Sequence, residues 1–155
     1  MGVKWQGQGD HSAESLLRDQ LTRNHGSGIL WQADPDCILL RGRFHELSDE
    51  QVRSLALFAG LAGGVLMSSD KLDELPPERA RLFAALLRER RLECEFPSLG
   101  SSGGPIVQRA RRRDGSSILN LFNPTGSTIV LEDGSELPPY ASRLIAGDED
   151  DPRTG

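Results

Sequence analysis

The chain has 155 residues, 37% hydrophobic and 26% charged, a composition typical of one folded domain or two small ones. Its net charge of −5 does not favour nucleic acid as a partner, because phosphates attract a positive surface. No apolar run approaches the roughly 20 residues that span a bilayer, and the two cysteines lack metal-binding spacing. We therefore expect a cytoplasmic protein with no membrane partner.

The first predicted element is a helix over residues 12–24, where alanine and leucines recur at helical spacing and the glycine-containing segment HGSG follows. Two short apolar strands are predicted next, at 29–31 and 37–40. The Gln-Ala-Asp-Pro-Asp segment between them admits two interpretations. It is either a turn that an aspartate initiates or the rim of a binding site.

A second helix is predicted from Ser48, which forms a capping box with Gln51 three residues later. Its apolar residues extend almost all the way round, so we expect it to pack on more than one side. A glycine pair ends it. The following segment, VLM at 65–67, predicts a buried parallel strand because it is short, apolar and uninterrupted. A third helix is predicted over 75–91, with proline in its first turn.

The composition changes near residue 93. The segment EFPSLGSSGGP at 95–105 predicts a linker. Four short strands then follow between residues 106 and 145, joined by turn signals typical of hairpins. The arginines at 109–113 predict a solvated strand that protects a sheet edge, since charged side chains discourage further pairing.

This order of elements predicts an α/β segment followed by an all-β one. Parallel strands are normally buried on both faces, and about ninety residues cannot close a (β/α) barrel that typically takes about 250. We therefore expect the last strand–helix units of a TIM barrel, followed by a small antiparallel β-sheet domain. The predicted divisions are a partial (β/α)-barrel segment at 1–92, an antiparallel β domain at 93–147 and a disordered acidic tail at 148–155.

The segment WQADPDCILLR at 31–41, with the helix–strand–helix region after it, resembles the end of the barrel in melibiase-type α-galactosidases of glycoside hydrolase families 27 and 36. The similarity is specific over residues 29–88 and looser over 116–146, where ELPPYASRLI resembles the last strand of that family's C-terminal β domain. Members combine a (β/α)₈ barrel with retaining hydrolysis of terminal α-galactosides. The resemblance therefore implies an α-galactoside or related sugar as the ligand.

The resemblance implies substrate-binding roles for four residues. Asp36 and Cys37 would line the sugar pocket, while Asp34 and Trp31 would support the same loop. The family's nucleophile and acid/base aspartates lie on earlier strands with no counterpart here, so it implies no catalytic residue, metal or cofactor. From the residues alone, Asp34 and Asp36 would approach a sugar from the same side, whereas two working carboxyls flank it. The family's usual Asn before this motif is replaced by Ala33.

Two functions stay open. The first is a C-terminal fragment or degenerate relative of a retaining α-galactosidase-type hydrolase, inactive alone. The missing barrel strands, or self-association through open sheet edges, would complete it. The second is a non-catalytic carbohydrate- or protein-binding module that presents its β domain and the arginine runs at 88–91 and 109–113.

Overall fold

The computed structural model describes residues 3–7, 12–35, 37–43, 45–89, 92–100 and 103–147. Asp36 and the predicted acidic tail at 148–155 lie outside the described residues. Within them the helices are α1 (Ala13–Arg23), α2 (Asp49–Gly60) and α3 (Pro77–Leu86). The strands are β1 (Cys37–Ile38), β2 (Met67–Ser68), β3 (Glu93–Glu95), β4 (Ile106–Arg111), β5 (Ser117–Phe122), β6 (Ile129–Val130), β7 (Glu136–Leu137) and β8 (Ser142–Gly147).

All three predicted helices are confirmed, although α3 ends at Leu86, earlier than its sequence pattern suggests. α2 begins with the predicted capping box. The Ser48 hydroxyl accepts from the Gln51 backbone N–H at 3.2 Å, and the Gln51 side chain accepts from the Ser48 N–H at 2.8 Å. α2 is buried on most sides, as predicted, because it lies between the parallel strands and the antiparallel sheet.

β1 and β2 form a parallel pair, with Cys37 opposite Met67 and Ile38 opposite Ser68. Within the described residues these strands pair only with each other. One face packs against α2 and α3. The buried members of that core are Ile38, Leu40, Val52, Ala56, Leu57, Ala59 and Leu86. The opposite face is less covered, since Met67 and its alternate neighbour Val65 are 41% and 37% exposed.

The predicted strand at 29–31 is wrong, because these residues form a turn. The backbone N–H groups of Leu30 and Trp31 donate to the Gly26 carbonyl at 2.9 and 3.3 Å. Gly28 adopts a φ of +77°, a conformation that glycine reaches without steric cost. The side chains of Ile29 and Leu30, at the tip of this turn, are exposed to solvent. The apolar run at these positions therefore does not correspond to a strand packed against a core.

The predicted buried strand at 65–67 is only partly correct. A parallel strand is present, but it covers Met67–Ser68, and its segment is covered on one face only. Leu66 contacts the core with α2 and α3, whereas Val65 lies toward the more open face. A short apolar run predicts burial on both faces, but here the described residues provide a covering layer for one.

The C-terminal part contains a four-stranded antiparallel sheet in the order β3-β4-β5-β8 and a separate β6–β7 hairpin. The four predicted strands are present, and the segment ELPPYASRLI supplies two, β7 and β8. They are separated by a turn at Tyr140, whose φ of +58° is uncommon for a residue with a side chain.

One further expectation for this region is wrong. β3, which was not predicted, pairs with β4 through residues 93–95, just before most of the predicted linker. β4 therefore lies between β3 and β5 and does not protect an edge. Arg109 of this strand is 7% exposed and ion-paired with Glu95. The neighbouring carboxylate compensates the charge of this arginine within the sheet.

The helical part and the sheet share a core. Phe58 of α2 lies 5.5 Å from Phe96 and 6.1 Å from Phe122 between ring centroids, and Trp5 contacts Phe122 edge-on at 6.1 Å. The buried Gln108 side chain donates to the Phe58 carbonyl at 2.8 Å, which ties β4 to α2. The division of the chain at residue 93 remains a prediction.

Candidate functional site

A cavity of about 930 Å³ lies between α1, α2 and the segment that leads into β1. Three of the four residues singled out from the sequence line it, namely Trp31, Asp34 and Cys37. The fourth, Asp36, is outside the described residues. Apolar side chains of α1 and α2, among them Leu16 and Leu55, form much of the remaining wall. An apolar wall with a few polar groups is the usual composition of a small-molecule site.

Ala33 and Cys37 contact the segment of β2 in registers that differ by one residue. The Val65 N–H donates to the Ala33 carbonyl at 2.8 Å, and Cys37 then lies opposite Met67. Three residues separate Ala33 from Cys37, but regular parallel pairing to these partners has room for two. Asp34 is exposed here, and Pro35 is buried.

Trp31 lies across the backbone of Gly26. A Cβ atom at Gly26 would come closer than 3.0 Å to three carbons of the indole ring, so only glycine leaves room for this arrangement. The His25 ring contacts the indole edge-on, with centroids 6.0 Å apart. Trp31 is nevertheless 43% exposed, which leaves part of the ring available to the cavity.

The described lining of the cavity includes two carboxylates, Asp19 and Asp34. Asp19 is ion-paired with Arg18 at 3.4 Å, and both are on the exposed side of α1. The Asp34 backbone carbonyl accepts from the Gln20 side chain at 3.2 Å, which anchors the segment to α1 while the Asp34 carboxylate remains exposed.

A polar cluster to which the sequence assigned no role lies where the parallel strands end. The Asp70 side chain is fully buried and accepts from the Leu40 N–H at 2.6 Å and from the Ser68 hydroxyl at 2.9 Å. Arg41 is ion-paired with Asp70 at 3.5 Å, and the Ser68 hydroxyl oxygen also lies 3.0 Å from the Ile38 carbonyl, which shares its single proton. This cluster, Arg41–Ser68–Asp70, fastens the ends of β1 and β2 together. The sequence signal was an aspartate just after a strand opposite an arginine just after its neighbour.

Several arginines proposed as a partner surface are bound within the chain. Arg112 makes two bonds of 2.7 Å to the Glu89 carboxylate, and these hold the pKa of Glu89 below its ordinary value. Arg109 and Arg111 both contact Glu95. Their charges are therefore partly neutralised, so the structure does not favour an acidic partner at this face.

The two cysteines are not joined in a disulfide. Burial raises the pKa of Cys94 to about 11, so its thiol stays protonated at neutral pH. In the described part of the chain, no three His, Cys, Asp or Glu side chains cluster as metal ligands would. None of the described helices has the length and apolarity needed to cross a bilayer.

Comparison with known proteins supports a shared fold. No protein-family model and no curated protein matches the chain. A crystal structure of a predicted α-galactosidase from Bacteroides fragilis superposes with a TM-score of 0.71 at 18% identity, covering 90% of this chain and 38% of the other. A predicted α-galactosidase/melibiase of the same organism gives 0.68 at 12% identity, covering 89% and 39%. The chain thus spans less than two fifths of either protein.

Proposed function

We propose that this chain forms one wall of the sugar site of an α-galactosidase-type glycoside hydrolase. The observation that carries the proposal is that Trp31, Asp34 and Cys37 line one cavity in a fold shared with two predicted α-galactosidases. Asp36 is proposed to face the same sugar on the strength of the sequence resemblance. The ligand class is an α-galactoside or a related sugar.

We further propose that the chain alone does not hydrolyse glycosides. A retaining glycosidase needs two carboxyl groups about 5–5.5 Å apart on opposite sides of the scissile bond. The described cavity wall offers Asp34, together with an Asp19 that is engaged by Arg18. Asp34 and the proposed Asp36 belong to one segment and would approach a sugar from the same side, so hydrolysis would need a further carboxyl group from another element.

Additional parallel strands are the proposed partner. In the described part of the chain, β1 and β2 have no neighbours beyond each other, and apolar residues of their open face are exposed. A (β/α) barrel would cover this face and supply strands on both edges. These strands would come from elsewhere in a longer protein or from a second chain. The two free thiols support a reducing, cytoplasmic setting.

The proposal is tested by separating binding from turnover. We expect the chain to bind methyl α-D-galactopyranoside in isothermal titration calorimetry and to show no release of nitrophenol from 4-nitrophenyl α-D-galactopyranoside. Asp34→Asn should weaken binding by about 10-fold, the effect of losing one hydrogen bond to a charged group. Asp73→Asn is the matched control, because Asp73 is exposed in the turn after β2 and does not line the cavity.

Either of two results would contradict the proposal. If titration with the galactoside at tens of millimolar produced no heat of binding, the proposed sugar site would be ruled out. Turnover that survives repurification and is lost in Asp34→Asn would show that the chain carries its own catalytic groups.

A further inference from the structure

The contact between Trp31 and Gly26 has a geometry suited to holding an aromatic ring flat beside a cavity. Any side chain at Gly26 would overlap the indole, and Gly26 itself does not need a left-handed backbone. The requirement for glycine at this position therefore comes from the ring above it. With one face against the backbone, the indole leaves its remaining exposed surface to the cavity that also contains Asp34.

We propose that Gly26 is a positioning residue for Trp31, and that the indole stacks on the apolar face of a galacto-configured pyranoside. This inference rests on the proposed function. In a galactoside the axial C4 hydroxyl leaves the hydrogens of C3, C4 and C5 on one face. Those hydrogens carry slight positive charge, which the negative face of an aromatic ring attracts. In a glucoside the C4 hydrogen is on the opposite face, so the apolar patch is broken.

Trp31 would thus be a specificity-determining residue. Asp34 lies beside it on the same wall, where its carboxylate can accept hydrogen bonds from sugar hydroxyls. The combination of a flat aromatic surface and a carboxylate selects a ligand with one apolar face and a polar rim. A simple anion would be repelled by the same carboxylate.

The chain contains two tryptophans, and Trp5 is largely buried. The experiment uses the full chain with Trp5→Phe, so that Trp31 is the only emitting indole. Acrylamide quenching is measured first without ligand, then emission is titrated with methyl α-D-galactopyranoside and methyl α-D-glucopyranoside. The variants are Gly26→Ala and the control Gly42→Ala, whose added methyl group would meet nothing within 4 Å.

We expect Gly26→Ala to make Trp31 more accessible to acrylamide and to weaken galactoside affinity by about 2- to 12-fold, the range for loss of an aromatic contact. Gly42→Ala should match its parent in both measurements. The galactoside should shift the Trp31 emission, and the glucoside should bind more weakly. Trp31→Leu, measured by calorimetry, tests the stacking directly if Gly26→Ala does not fold.

The outcomes distinguish this inference from the proposed function. If the parent binds neither sugar, the proposed function fails and the stacking role with it. If the parent binds galactoside but Trp31→Leu binds equally well, or galactoside and glucoside bind alike, the sugar site stands and the stacking role is overturned. Unchanged quenching in a folded Gly26→Ala would overturn the positioning role.

Discussion

Asp70 is the residue on which the geometry of the parallel strands most depends. Its carboxylate is fully buried, contacts groups from both strands and faces the 29% exposed guanidinium of Arg41. Asp70→Asn would remove the negative charge from this ion pair. We expect a loss of roughly 2–4 kcal/mol in the free energy of unfolding, somewhat below the cost for a fully buried pair, because Arg41 keeps some solvent. This loss of stability is measured by urea unfolding followed by circular dichroism.

Asp73→Asn, three residues further on at an exposed position, is the control and should leave the urea midpoint within the usual range for surface changes. The double variant Arg41→Met with Asp70→Asn should lose less than the sum of the single losses, because both charges leave together. Equal midpoints for Asp70→Asn and Asp73→Asn would show that the cluster does not fasten the strand ends.

Glu89 provides a prediction about pH. Its hydrogen bonds to Arg112 hold its pKa below the ordinary value of 4.5. The folded state therefore binds fewer protons than the unfolded state in this range, so the stabilisation is complete above pH 4.5 and is lost as the pH falls through the folded pKa. We expect Glu89→Gln to flatten the acid side of the stability–pH profile, whereas Glu132→Gln, at an exposed position of the β6–β7 hairpin, should not.

At the scale of elements, the contact between α2 and α3 depends on a glycine. A Cβ at Gly60 would lie 2.6–2.9 Å from three carbons of the Leu86 side chain, so the helices approach as closely as they do because no side chain intervenes. Gly60→Ala should destabilise the chain by about 1–3 kcal/mol through overpacking. Differential scanning calorimetry measures the change, with Gly42→Ala as the open-space control.

Adding Leu86→Ala to Gly60→Ala makes room for the new methyl group. The double variant should therefore lose less stability than the two single losses combined, since each change relieves part of the other. Additive losses would mean that the clash is absorbed elsewhere and that Gly60 does not set the approach of the two helices.

The helices were predictable because their signals are local. Ser48 and Gln51 cap α2 through groups three residues apart, and apolar spacing identifies the buried side of each helix. β3 was missed because its three residues become a strand only by pairing with β4, more than ten residues away. The same division applies to the candidate site. Trp31 and Asp34 were proposed from a local motif, whereas the contact between Gly26 and the Trp31 ring arises only when the chain folds back on itself.

At the scale of the whole molecule, the parallel pair is the least complete part of the described structure. Four apolar side chains in or near this pair are exposed, namely Ile29 and Leu30 at 81% and 75% in the preceding turn, Val65 just before β2, and Met67 in β2. The sequence predicted strands that need neighbours, and the described residues supply helices on one face only. Exposed apolar side chains often mark an interface when they form one patch.

We therefore expect the chain alone to self-associate, with a sedimentation coefficient that rises with concentration. Ile29→Lys should weaken association by about tenfold or more, because burial of one such side chain contributes roughly 1.5–3 kcal/mol. Val130→Lys is the matched control, since Val130 is 68% exposed on β6, in a separate hairpin. A monomer at every concentration would mean that the open face needs no partner. If both variants weakened association equally, the contact would lie elsewhere, because Ile29 is in the turn before the parallel pair and Val130 is in a separate hairpin.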